Sequence, residues 1–232
     1  MPPRVNCAII VGDARDRLTE QCLHSFFERA DSGLCDLTVL ANAVGNSTEE
    51  LLRRFQANNN ITIVWQDESL GGGAVTNRLL EAARRDQGEF LYHTASDFYF
   101  KPGWLEGLLA NMPVAEAAGI GLLGAYSHPF HRTVAVVPGV AGYAIHTKQM
   151  VSGGSWFMRW ATWNRFGPLN EDHHGNWVGS EDSELNYRLI AAGVGRATLV
   201  PEGAVHTGRT ASNGQPTLGA EYMYPQEGIL IE

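Results

Sequence analysis

The sequence lacks any apolar run long enough to cross a bilayer, and its opening stretch, MPPRVNCAIIVG, ends in a glycine turn rather than a cleavage site. Neither a membrane span nor a secretory leader is expected; a soluble, cytoplasmic protein is. Cysteine is scarce: Cys7, Cys22 and Cys35 form an odd set near the start, with neither metal-site nor redox-motif spacing. They read as buried thiols in a reducing compartment. Positive charge is in deficit, the formal net charge being -8. Phosphate backbones and anionic membranes repel such a chain, which disfavours general nucleic-acid binding. Charged residues make up only 18% and hydrophobic ones 44%, a balance far from that of disordered chains. At 232 residues the chain is within the range of one α/β domain with a sizeable core.

What is present in the first half is alternation. CAIIVG, DLTVLAN, ITIVWQ and EFLYHT are short β-rich apolar runs, and between them Leu18 to Arg29, Thr48 to Asn58 and Gly73 to Arg84 carry apolar residues at helical spacing. Thr48, before Glu49 and Glu50, reads as a helix-start signal. This order predicts β-α-β units on a largely parallel sheet, with strand ends at Gly12, Asn42, Gln66 and Ser96 lining one crevice. Beyond Trp104 the pattern changes to GIGLLGAY and TVAVVPGVAGYAIHT, strands joined by turns, and then an aromatic run, WFMRWATWNRFG. A helix is predicted from Glu181 to Ala192, capped by Ser180 and stopped by Gly193. The stretch from Thr207 to Glu232 has no strong period and reads as a tail or lid. The expected organisation is therefore one domain over residues 1–206, made of a first half (1–100) and a second half (101–206), followed by 207–232.

Four segments carry chemistry. In EFLYHTASDFYFKPGWL a strand runs into a single carboxylate, Asp97, placed to bind a divalent cation, although a lone carboxylate there more often caps a turn. ESLGGGAVTN precedes a helix, and its glycines permit close backbone approach to a ligand; Asn77 on that helix either holds a ligand or bonds the loop. GSEDSELNYRL sets Glu181, Asp182 and Glu184 around a helix start, where ordinary preference already favours acids. Asp182 would there be placed to take a proton from a hydroxyl. Among eight histidines, His206 stands out because it follows the short strand ATLVPEGAV and offers an imidazole at a sheet edge. His173 with His174 and His128 with His131 read as turn or surface residues without metalloprotease spacing.

Taken in order, these segments resemble the GT-A type glycosyltransferases, particularly the large inverting family 2, over roughly residues 5 to 206. ESLGGGAVTNRLLEAA is similar to that family's Glu-Asn-Leu-Gly loop and helix, and YHTASDFYFKPGWL to its strand with the metal-binding acidic motif. WNRFGPLNE resembles its aromatic-Gly-aromatic-Asx-Glu segment, GSEDSELNYRLIAAG its Glu-Asp helix, and VHTG its late metal-ligand histidine. The resemblance implies a Rossmann-like mixed sheet flanked by helices, in one catalytic domain whose residues 1–100 bind the nucleotide sugar and whose residues 101–206 bind the acceptor. It makes Asp97 and His206 ligands of Mn2+ or Mg2+, and Asp182 the catalytic base. Asn42, Gly71, Asn77 and Ser96 fall where the family holds the nucleotide sugar, and Asp13 with the backbone of Val11 where it holds base and ribose.

Departures are informative too. Ala95 replaces the first acid of Asp-x-Asp, Ala41 an aspartate that bonds uracil in many members, and Thr76 a frequent arginine. A UDP-sugar is thus the family default for the donor rather than a reading of these residues. The Gln-x-x-Arg-Trp motif of processive synthases is missing, which implies one sugar per encounter. The expected reaction is transfer with inversion onto an unidentified hydroxyl acceptor, with Glu181 tuning Asp182. Trp156, Arg159, Trp163 and Trp177 are candidates for the acceptor wall, with Glu181 as a further acceptor-binding candidate, and each of the three tryptophans suits the core as well. The rivals are a sugar nucleotidyltransferase, whose Gly-rich basic loop the run GDARDR does not match, a binding module that has lost its chemistry, and a retaining transferase on the same fold.

Overall fold

The computed structural model describes residues 3–13, 15–85, 88–172, 181–208 and 229, with Glu181 and Asp182 described by their backbone alone. Its first half alternates strand and helix: β1 (Arg4–Val11), α1 (Asp16–Arg29), β2 (Cys35–Asn42), α2 (Asn46–Asn58), β3 (Ile61–Gln66), α3 (Gly72–Ala83) and β4 (Gly88–Ala95). Next come β5 (Phe98–Phe100), α4 (Trp104–Ala117), β6 (Ile120–Gly124), β7 (Thr133–Pro138), β8 (Ala144–Lys148) and β9 (Ser155–Arg159). The chain continues through α5 (Trp160–Phe166), α6 (Glu181–Ala191), β10 (Gly195–Val200) and β11 (Ala204–His206).

Nine strands form one mixed sheet in the order β3-β2-β1-β4-β9-β6-β10-β8-β7, and β11 pairs with β5 in a separate ribbon. The contacts β3-β2, β2-β1, β1-β4 and β6-β10 are parallel; β9 enters antiparallel between β4 and β6. The parallel strands are continuous apolar runs because both faces are covered. On β1, Val5, Cys7, Ile9 and Val11 face a core shared with Leu23 and Phe26 of α1, Leu52 of α2 and Leu108 of α4. Ala8 faces the other core, with Leu79 of α3, Trp163 of α5 and Leu185 and Leu189 of α6. The three cysteines are free and buried, as their type and spacing predict.

Two differences from the sequence reading have plain causes. The aromatic run contains a strand, β9, because Trp156, Phe157 and Met158 are buried on both faces of the sheet and so show no alternation. Helix α2 starts two residues before Thr48, behind Gly45, and Thr48 instead donates to the Asp16 carboxylate of α1. Ser180, Trp177, His173 and His174 lie outside the described residues.

Candidate active site

The carboxyl ends of β1, β2, β3 and β4 lie along one edge of the sheet. Asp97 is two residues past the end of β4, on the tight turn into β5. What holds it there is the ribbon of β5 and β11, which sets His206 opposite Phe98. The Asp97 carbonyl then accepts from both the amide (2.8 Å) and the hydroxyl (2.9 Å) of Thr207. With the backbone fixed at both ends, the Nε2 atom of His206 sits 3.2 Å from Oδ2 of Asp97. The imidazole is wedged between the rings of Phe98 and Tyr126, at centroid distances of 4.9 and 5.8 Å. Gly208 completes the cradle: a Cβ there would lie 2.5 Å from Asp97 Oδ2, so only glycine fits.

A second cation reaches the same oxygen. The Nη1 atom of Arg15, the residue before α1, donates to Asp97 Oδ2 at 2.5 Å. Burial pushes the Asp97 carboxyl up, but the charge and hydrogen bond of His206, followed by those of Arg15, outweigh it and hold the group below the ordinary carboxylate range. Asp97 is therefore ionised at neutral pH. Its Oδ1 atom and Nδ1 of His206 are buried without a hydrogen-bond partner. An orphaned carboxylate oxygen beside an imidazole suits Mn2+ or Mg2+, cations that take oxygen and nitrogen donors. Among the described residues no third His, Cys, Asp or Glu joins them. Water and ligand oxygens would have to fill the remaining positions.

The other predicted site residues are placed as follows. Asn42 lies at the end of β2, where its amide donates to Leu70 O (3.1 Å) and accepts from Leu70 N (2.9 Å), tying down the loop before Gly71, the residue that precedes α3. Asn77 bonds Leu169 in the same two-way fashion and also donates to Glu171. Asp13 accepts from Gly45 N at 2.7 Å, linking the ends of β1 and β2. Val11 is core, and the buried hydroxyl of Ser96 bonds Thr19 of α1 at 3.1 Å. The side chains of Asp13, Asn42, Asn77 and Ser96 thus already have protein partners.

The structure does not bring Arg159 or Trp156 to the crevice mouth. Arg159 pairs with Phe90 near the start of β4, at the opposite edge from Asp97, and binds Glu116 and Glu89 there. Trp156 is fully buried, its ring 5.0 Å from that of His93. Glu184 accepts from Asn170 N at 2.8 Å and is also bonded by Arg188. Trp177 and the side chains of Glu181 and Asp182 lie outside the described residues. The start of α6 is nevertheless located: Asn186, one turn beyond Asp182, exchanges two 2.9 Å bonds with Val151. The segment from Val151 leads into Ser155, which sits opposite Thr94 near the end of β4. Arg15 is the site residue that sequence reasoning passed over. The only signal for it was a basic residue just past a strand end.

The architecture is that of the GT-A glycosyltransferases. No protein-family model matches the sequence, and no curated protein matches it either. Solved structures do match. A mannosyltransferase, PcManGT from Pyrobaculum calidifontis, in complex with GDP-Man and Mn2+, is similar over 85% of this chain and 55% of its own, at 17% identity and a TM-score of 0.62. TarS of S. aureus (residues 1-349), in complex with UDP-GlcNAc, is similar over 83% and 55%, at 15% identity and a TM-score of 0.57. GalNAc-T7 with UDP, GalNAc and Mn2+ is similar over 84% and 42%, at 11% identity and a TM-score of 0.62. The chain thus spans only about half the length of these proteins, and the likeness is one of fold. No helix among the described residues is long and apolar enough to cross a membrane.

Proposed function

We propose that the protein is a metal-dependent glycosyltransferase that moves a sugar from a nucleotide-diphosphate sugar to an acceptor hydroxyl, with inversion and one sugar at a time. The observation that carries this reading is the pairing of Asp97 and His206, brought from distant parts of the chain onto one point at the carboxyl edge of a GT-A sheet. PcManGT and GalNAc-T7 were solved with Mn2+, and all three relatives with a nucleotide or nucleotide sugar. The donor here is taken to be of that class, a UDP-sugar by resemblance to family 2.

Asp97 and His206 would hold the cation, which supplies positive charge against the departing diphosphate. The first half of the chain holds the donor over the edge formed by Asp13, Asn42 and Gly71, and the second half holds the acceptor. Asp182 accepts the proton of the acceptor hydroxyl. The acceptor oxygen bonds to the anomeric carbon as the bond from that carbon to the diphosphate oxygen breaks, and the nucleoside diphosphate leaves with the electron pair. Substituting Asp97 removes the only carboxylate of the pair. Asp97→Asn should therefore abolish Mn2+-dependent binding of UDP and GDP in calorimetry, along with release of nucleoside diphosphate from their sugars. Undiminished metal-dependent binding in the variant would overturn the assignment.

A further inference from the structure

Arg15 is hard to reconcile with a simple cation site. Its guanidinium lies at 2.5 Å from the same Asp97 oxygen that faces His206, with side-chain exposures of 17% for Arg15 and 8% for Asp97. A divalent cation arriving at the free Oδ1 would meet a fixed positive charge one carboxylate away, at close range and poorly screened. Ala95 adds no second acid to offset it. Arg15 also stands where β1 gives way to α1, at the sheet edge where ligands of open α/β sheets bind. Its planar fork of donors matches phosphate oxygens as well as it matches a carboxylate.

We propose that Arg15 makes cation binding conditional on a diphosphate: it neutralises Asp97 in the free protein, and turns to the phosphate oxygens of a nucleoside diphosphate when a divalent cation takes the carboxylate. This rests on the reading of Asp97 and His206 as the cation site. The anion then removes the repulsion that Arg15 imposes, so each ligand strengthens the binding of the other by the same factor. The free protein holds Asp97 ready without admitting a cation that has no substrate to serve.

The test is a Mn2+ titration followed by electron paramagnetic resonance, with and without UDP or GDP, on wild type, Arg15→Met, Arg15→Lys and Asp97→Asn, each first shown to be folded by near-ultraviolet circular dichroism. Wild type should bind Mn2+ weakly alone and at least about tenfold more tightly with the nucleoside diphosphate, the size of coupling that linked sites typically show. Arg15→Met should bind Mn2+ alone about tenfold more tightly than wild type, lose most of the coupling, and bind the nucleoside diphosphate more weakly in EDTA. Arg15→Lys, which keeps the charge without the fork, should retain the weak binding of Mn2+ alone. If Arg15→Met binds Mn2+ alone no better than wild type, while Asp97→Asn loses it, the role of Arg15 is wrong and the site stands. If wild type binds no Mn2+ under any of these conditions, both fall.

Discussion

Asn77 of α3 and Leu169, 92 residues further on, hold each other by two hydrogen bonds: Nδ2 to the Leu169 carbonyl at 2.9 Å and the Leu169 amide to Oδ1 at 2.8 Å. This clasp joins the two halves of the chain. It is reinforced by close contact, since a Cβ on Gly73 would lie 2.4 Å from the carbonyl oxygen of Asn170. Asn77→Ala leaves a partly buried amide and carbonyl without partners, at a cost of about 1–3 kcal/mol. Chemical denaturation should show that loss, and Asn77→Asp, which keeps the acceptor but sets a carboxylate against the Leu169 carbonyl and Glu171, should not recover it.

The parallel half of the fold was legible because its signals are local. Each apolar run of β1 to β4 and each helical period of α1 to α3 lies within one stretch of sequence, and the structure shifts their bounds by a few residues only. Asp97 and His206 were legible as residue types at strand ends. Their meeting depends on a ribbon of two three-residue strands, too short to carry a period. Arg15 and Asp97 are 82 residues apart, and nothing in GDARDR announces that contact. Asn42 and Asn77 show another limit. An amide beside a glycine loop suits a ligand and a backbone equally, and in the fold the backbone has taken both.

Gly208 offers a way to disturb the candidate cation site without touching a ligand. Any Cβ would press within 2.5 Å of Oδ2 and 3.0 Å of Cβ of Asp97, whose position is already fixed by Thr207. Gly208→Ala should push the carboxylate off His206 and lower Mn2+ affinity in the presence of UDP or GDP by roughly tenfold or more, an interaction loss of about 1.4 kcal/mol per factor of ten. Thermal stability should fall too, by the roughly 1–3 kcal/mol that overpacking a buried position costs. Wild-type Mn2+ affinity in this variant would mean that the carboxylate is free to relax.

His93 should set the acid limit of stability. Burial lowers its pKa to about 4, and Nδ1 faces the Gly153 carbonyl at 3.2 Å while Nε2 has no partner. The native protein thus keeps the ring neutral, with Nδ1 as donor. An unfolded chain protonates it near its ordinary value of about 6.5. As pH falls from about 6.5 toward 4, the unfolded state binds a proton that the native state refuses, and stability is lost, by about 3 kcal/mol across the window. Asp97, held below the carboxylate range, loses its contribution at lower pH still. Urea unfolding at pH 7 and pH 4.5 should show a smaller difference for His93→Gln than for wild type. Equal differences would remove His93 as the cause.

Asp182 is the residue on which catalysis, as distinct from binding, should depend. It belongs to the first turn of α6, whose next turn is pinned by Asn186 to the segment entering β9; that strand lies beside β4, whose end runs directly into Asp97. Glu184, the neighbouring acid, is held by the amide of Asn170 and the guanidinium of Arg188, which leaves it little freedom to meet a substrate. Asp182→Asn keeps the shape of the side chain and removes its basicity. A general base contributes about 100- to 10,000-fold in rate, so turnover should drop by that order. Donor affinity and melting temperature should stay near wild type, because the lost interaction is made in the transition state. Glu184→Gln, by contrast, should lower stability through its helix contacts and slow transfer much less. If Asp182→Asn transfers sugar at the wild-type rate, another group takes the proton; if it fails to bind donor, Asp182 belongs with Asp97 and His206 instead.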